Sequence, residues 1–438
     1  MTDRQQHPPI TQLDHIALHF PSQLKLSCGI PIWVIDGGDE QVCTLNIYVP
    51  GGTMHESQPL ESLVTSQLCL EGSAHYHARK IAQELDYCGA WKSAQNHDTM
   101  CQLSLSTINE HYERLLPIMA DALQAPTLPE EELDICRRRL AATYATLRGR
   151  VKYLAAVELR RQYYGDGHPL VADADPEALL HMSREDLVRF WRRFYHPAGC
   201  RVVLAGKVSD HMLSVTDRVL GGWTDGHSAA MPDDRWHTAP SDQMLTVVNK
   251  PGAVQAAVAM ALQAVPREHP DYLPLRMVVT ALGGYFGSRL MSNIREDKGY
   301  TYGISAFLSG RQHDGFVGVS TECDVRHTWQ VIGEVKREID RLRDQPIAMD
   351  ELNVVRQYML SEQLKTLDTP FSLASYVAST WLYGVYPEYY NQQIHTIMHA
   401  TPQQLQQVAQ RYLDNSRWRI VVAGDKKSLH NSELRIKN

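Results

Sequence analysis

Apolar positions along this chain alternate between helical and strand periods, and they do so twice over. Ser183–Gly206 reads SREDLVRFWRRFYHPAGCRVVLAG, with Leu187 and Phe194 on one side of a helical pattern and an unbroken apolar run at Val202–Leu204. The first part predicts an amphipathic helix with Ser183 as its N-cap, and the β-branched run before Ala-Gly predicts a buried strand. Thr401–Gly424, TPQQLQQVAQRYLDNSRWRIVVAG, repeats this without a gap 218 residues on, counted from Ser183 to Thr401. Leu405 stands where Leu187 does, Tyr412 where Phe194 does, and Ile420–Val422 where the strand run does. Thr401 and Gln404 have the spacing of a capping box.

Other markers recur at nearly the same period. Tyr164-Gly165 with Pro169 parallels Tyr383-Gly384 with Pro387. Leu103–Thr107 (LSLST) and Val317–Thr321 (VGVST) each predict a strand leading into a helix. Val325, Trp329, Ile332, Ile339 and Leu342 give the second of those helices its apolar side. Cys43–Val49 and Val254–Leu262 predict strands near the start of each half. Repetition at so long a period is the mark of a duplicated domain. The expected fold is α+β, a tandem of two similar domains, each an antiparallel-rich sheet packed with helices. The first domain spans 1–222 and the second 244–438. The segment between them, 223–243 (WTDGHSAAMPDDRWHTAPSDQ), has the composition of a linker.

Bulk properties exclude several functions. A formal net charge of −7 lacks the clustered positive charge that nucleic acid or an anionic membrane requires. No apolar run is long enough to span a bilayer, and MTDRQQHPPITQLDH has no apolar signal core, so the expected location is cytoplasmic. Eight cysteines without a C-x-x-C pair read as buried thiols.

The chemistry-bearing stretch is Ala281–Ser305, ALGGYFGSRLMSNIREDKGYTYGIS. Gly283-Gly284-Tyr285 lies ahead of a helical pattern. Lys298-Gly299 predicts the helix stop, between Arg295 and Tyr302. Alternation along the strand that follows places Tyr300 and Tyr302 on one face. From spacing alone, Arg295 pairs with Glu296 or Asp297 and Tyr302 is a half-buried strand residue. The glycine run has neither the lysine of a phosphate loop nor dinucleotide spacing, and no G-x-S-x-G elbow occurs.

This stretch resembles the C-terminal-domain signature of the pitrilysin, insulinase and mitochondrial processing peptidase family, the inverzincin zinc peptidases. The likeness runs over nearly the whole chain, because that family is also a tandem duplication of about this length, closing as a clamshell. It implies that Arg295 and Tyr302 are catalytic hydrogen-bond donors to a peptide carbonyl and its developing oxyanion. It implies further that Gly283, Gly284 and Tyr285 contact substrate.

Complete members of that family carry H-x-x-E-H on a first-domain helix. Two histidines on one helical face bind zinc, and the glutamate activates the bound water. Counting back from Gly72, those positions here hold Leu63, Val64, Thr65, Ser66 and Gln67. Leu63 has no lone pair, Ser66 is a poor base and Gln67 is a weak neutral ligand. Between Asp134 and Glu158, where the third ligand is expected, there is no carboxylate. Arg137, Arg138, Arg139, Arg148, Arg150 and Lys152 stand there instead, read as solvated helix faces. His75, His77 and His97 read as exposed loop histidines, and no metal ligand set is expected in this chain.

The resemblance then implies half of an active site. The expected role is the non-zinc subunit of a heterodimeric zinc metallopeptidase, inactive alone and supplying Arg295 and Tyr302 in trans. Its partner would be a homologous H-x-x-E-H subunit holding the zinc, and its substrate a peptide lying along a sheet edge. A structural or peptide-binding pseudo-peptidase is the alternative. A self-sufficient metallopeptidase is disfavoured by the missing acid.

Overall fold

The computed structural model describes residues 18, 20–171, 173–224, 236 and 238–437, with side chains to 431. The N-terminal polar segment and most of the expected linker lie outside the described residues.

The first half builds a six-stranded sheet from β1 (Gln23–Lys25), β2 (Pro31–Asp36), β3 (Val42–Pro50), β4 (Trp91–Asn96), β5 (Met100–Ile108) and β6 (Arg201–Gly206). Their order across the sheet is β1-β2-β6-β3-β5-β4. The second half builds five strands, β7 (Leu245–Asn249), β8 (Gln255–Ala264), β9 (Thr301–Gly310), β10 (Gly315–Asp324) and β11 (Arg419–Gly424), ordered β7-β11-β8-β10-β9. The two orders are the same topology, β1 aside. In each sheet one pair is parallel, β2 with β6 and β7 with β11, and the other pairs are antiparallel.

The repeat read from the sequence falls on matching elements. The helices Arg184–Phe194 and Pro402–Tyr412 each open with a full capping box, Ser183 with Asp186 and Thr401 with Gln404. Each leads into its central strand, β6 or β11.

The unbroken apolar runs in those strands have a cause that lies in the other half. In β6, Val202 and Leu204 face the helices of their own half, while Val203 and Ala205 face the opposite way. The opposite face is covered by helix Pro370–Leu382 of the second half, through Ala374, Val377 and Ala378, with the Trp381 ring tilted against Trp33 at 4.3 Å between centroids. The reverse holds in the second sheet. Val421 and Ala423 of β11, with Ala257 and Ala259 of β8, are covered by helix Val151–Tyr164 of the first half through Ala155. Each half thus lends one helix to the back of the other's sheet, and the inner strands β6 and β11 are buried on two faces. Alternation disappears from a strand buried that way. The loan is tightened by Tyr163, whose hydroxyl donates to the Gly315 carbonyl at 2.7 Å. Arg311, in the turn between β9 and β10, pairs with Asp98 at 2.5 Å and donates to the Tyr164 hydroxyl.

Candidate functional site

Arg295 lies on a short wide-turn helix, Met291–Asp297. It ends as expected, with Lys298 at the C-cap and Gly299 at φ +65°, a backbone state glycine adopts without strain. The closing bonds run from Lys298 N to Asn293 O (3.2 Å) and from Tyr300 N to Ile294 O (3.0 Å). Arg295 does not pair with Glu296 or Asp297. Its guanidinium lies over the Phe286 ring, 4.5 Å from the centroid, and among the described residues it has no ion pair. A guanidinium on an aromatic face keeps its N–H donors for another acceptor.

Tyr302 is 92 % exposed on β9, the edge strand of its sheet, and its hydroxyl has no partner among the described residues. Tyr300 does not share its face. Tyr300 precedes the strand and stacks on His327 with centroids 4.4 Å apart, packed on the core. The reason is a bulge. Ile304 pairs with Thr321, but Thr301 pairs with Cys323, so the register slips by one residue between them. Thr301 is turned inward and hydrogen bonds the Thr321 hydroxyl at 2.8 Å and the Glu322 carbonyl at 2.6 Å. The extra residue breaks the alternation and turns Tyr302 out, a common use of bulges beside functional sites.

The glycine segment sits behind this strand. Gly283 is buried, and a Cβ there would lie 2.5 Å from the Ala306 nitrogen of β9. Gly284 is exposed, and Tyr285 stacks on Tyr358 at 5.2 Å. The structure therefore gives Gly283 a packing role that fixes the Arg295 segment against the Tyr302 strand.

The first-half helix Glu61–Cys69 carries the positions of the zinc motif. Ser66 is fully buried, its hydroxyl donating to the Leu63 carbonyl at 2.9 Å. Gln67 Oε1 accepts from Arg139 Nη2 at 2.8 Å. An arginine from helix Glu130–Arg148 thus holds the side chain that occupies the second histidine's place. A zinc ion does not fit these residues: Leu63 cannot ligate, and the neighbouring charge is already positive.

The reading of the surrounding cations as solvated faces holds for Arg138, Arg150 and Lys152, which are exposed, and fails for others. Arg137 pairs with Glu130 (3.0 Å) and Asp134 (2.6 Å). Arg148 pairs with Asp173 (2.6 Å) and Asp175 (2.9 Å). Arg137 finds its carboxylates one and two turns back on its own helix, while those of Arg148 lie 25 and 27 residues on, where spacing along the helix could not supply them. His75 pairs with Asp121 at 2.9 Å, and His77 caps helix Ala78–Tyr87 by accepting from Lys80 N. His97 bonds Gln102 at 3.1 Å. Among the described residues, no three His, Cys, Asp or Glu side chains could hold a metal together. All eight cysteines are free, seven of them buried.

Sequence reasoning missed Glu56. Its carboxylate sits at the start of the Glu61–Cys69 helix and accepts from Leu60 N (3.1 Å), Ser62 N (3.2 Å) and the Ser62 hydroxyl. Burial nonetheless pushes this carboxyl up to about 7, outweighing those hydrogen bonds. Leu60 takes the left-handed conformation, φ +69°, to bring the amides round. A carboxylate shortly before a helix start was the signal available.

Two family models match the chain, "Insulinase (Peptidase family M16)" over residues 34–156 and "Peptidase M16 inactive domain" over residues 181–359. The chain belongs to the M16 peptidase family. It is 20 % identical to the uncharacterized zinc protease YmxG of Bacillus subtilis, over 79 % of this chain and 84 % of that one. It is 19 % identical to a protein of Helicobacter pylori named non-peptidase homolog YmxG, over 72 % of each. It is 22 % identical to the alpha-1 subunit of the mitochondrial-processing peptidase of Dictyostelium discoideum, over 50 % of this chain and 33 % of that subunit. A crystal structure of a peptidase M16 inactive domain from Pseudomonas fluorescens superimposes with a TM-score of 0.83 at 20 % identity, covering 93 % of this chain and 98 % of that one. No helix among the described residues is long and apolar enough to cross a membrane.

Proposed function

We propose that this chain is the metal-free subunit of a two-chain M16 peptidase and lends Arg295 and Tyr302 to a peptide held at its partner's zinc. The observation that carries the reading is an asymmetry within one molecule. The zinc-motif helix is closed, with Ser66 buried and Gln67 tied to Arg139, while Arg295 and Tyr302 keep free donors. A buried structural residue has partners, and an exposed tyrosine on a bulged edge strand has none to lose. Guanidinium and phenol together can hydrogen bond a peptide carbonyl and the oxyanion formed from it, the work of an oxyanion hole. The partner is a homologous H-x-x-E-H chain, and the likeness to a processing-peptidase alpha subunit supports a divided assembly. Gly283, Gly284 and Tyr285 serve the same site by positioning the Arg295 segment.

The test mixes this chain with an H-x-x-E-H relative and measures peptide cleavage together with zinc content. The mixture cleaves and neither chain does alone. Arg295→Ala and Tyr302→Phe each lower kcat by roughly 10²-fold, the effect of losing one oxyanion donor, with the partner's zinc unchanged. A mixture carrying either substitution and still as fast as wild type ends this reading. The second reading is a pseudo-peptidase that binds peptide and cleaves nothing. It is favoured by the closed zinc-motif helix and by the likeness to the non-peptidase homolog. It predicts peptide binding without cleavage in every mixture.

A further inference from the structure

The histidine spacing that the zinc-motif helix has lost is present elsewhere, on helix Tyr389–His399 of the second half. His395 and His399 are four residues apart, both exposed, with ring centroids 4.6 Å apart and planes at 54°. Residues four apart on a helix project side by side, so two imidazoles so placed can turn a nitrogen each towards one ion. Among the described residues, neither ring has a hydrogen bond or an ion pair. His399 is the last residue of the helix, where the unsatisfied carbonyls favour a positive charge. The two rings line a cavity of about 360 Å³ with Thr396, Gln404, Gln407 and Asp271. Asp271 is already engaged by Arg411 (2.5 Å) and the Tyr412 hydroxyl (2.7 Å), so it does not complete the ligand set.

We propose that His395 and His399 form a two-ligand surface site for a divalent transition-metal ion of the zinc, nickel and copper series. Imidazole suits those ions, and the two remaining coordination positions face the cavity and take water. The site is independent of the trans active site: it lies on another helix and uses none of the residues assigned to peptide. It also bears on how zinc in this protein is interpreted. Metal found in the isolated chain belongs to this pair and not to the zinc-motif helix.

Calorimetric titration of the full chain with zinc chloride tests this. One equivalent binds to wild type. His395→Ala and His399→Ala each weaken binding by about tenfold or more, at least what losing an outer-sphere partner costs a metal site. Both residues are exposed, so circular dichroism and melting temperature stay at wild-type values and a folding defect is recognised. Gln67→Ala, on the zinc-motif helix, leaves binding unchanged, and so does His75→Ala. Binding that survives the double histidine variant, or an absence of binding in wild type, overturns the proposal. Loss of zinc on Gln67→Ala overturns it too and separately contradicts the metal-free reading of the first half. His399→Ala does not alter cleavage by the two-chain mixture, so failure of either proposal is recognised independently.

Discussion

Two residues at the zinc-motif helix show how burial and charge have closed it. Arg139 supplies a fixed positive charge beside Gln67, and Glu56 caps the same helix from a desolvated position. Glu56 carries a pH signature whose sign follows from its shift. Its carboxyl rises from 4.5 to about 7 on folding, so the folded state holds the proton more tightly than the unfolded chain does. The associated stability is fully present below pH 4.5 and is lost as pH rises through about 7. The full loss is about 3 kcal/mol at 1.36 kcal/mol per unit. Urea denaturation at steps between pH 4.5 and 8 measures it. Glu56→Gln removes this group from the titration, and the fall in stability over that window flattens by a matching amount. An unchanged slope in the variant rules out Glu56 as its origin. The sequence offered only a carboxylate ahead of a helix start; the cage and its burial depend on Leu60 adopting a left-handed backbone that nothing about leucine announces.

At the scale of elements, what was legible is what local patterns determine. The helices Arg184–Phe194 and Pro402–Tyr412, their caps, the strands after them and the Lys298-Gly299 stop all follow from short-range rules. The bulge in β9 does not, since it is a mismatch between two strands and appears in neither alone. It decides the candidate site, because it separates Tyr302 from Tyr300. The same holds for Gly283. Its glycines could be read as a turn or a substrate contact, but the close approach to Ala306 gives the requirement. Gly283→Ala places a methyl 2.5 Å from a backbone nitrogen, so the helical segment and β9 must separate. The expected cost is about 1–3 kcal/mol, that of overpacking a core. Gly284→Ala, at an exposed position whose new methyl would meet the Thr280 side chain first, at 3.2–3.3 Å, costs less. Thermal melts of the two variants make the comparison, and an equal loss in both removes the packing role from Gly283.

Over the whole molecule, the exchanged helices make the halves depend on each other. Each sheet meets its own helices on one face and the other half's helix on the second. The duplication could be read from the chain, but the exchange could not. A strand buried on both faces looks the same whichever half supplies the cover. The consequence is testable by division. Residues 1–222 alone lack helix Pro370–Leu382 and leave Trp33, Ile35, Tyr48, Val203 and Ala205 in water. Residues 244–438 alone lack helix Val151–Tyr164 and leave Ala257, Ala259, Val421 and Ala423 uncovered. Continuous apolar surface of that kind favours association over a soluble monomer. Each fragment alone is therefore expected to self-associate and to bind a hydrophobic dye. Co-expressed, the two fragments form a one-to-one complex, because each carries the helix the other needs. In the undivided chain Val377→Asp, in the second half, buries a charge against the first sheet, and hydrogen exchange quickens at β2 and β6. Exchange that quickens only within the second half, or two fragments that each stay monomeric and melt cooperatively alone, means the loaned helices are covering rather than essential. In that event the two halves are separate folding units joined by a linker, with Asp98–Arg311 and Tyr163–Gly315 as polar contacts between them.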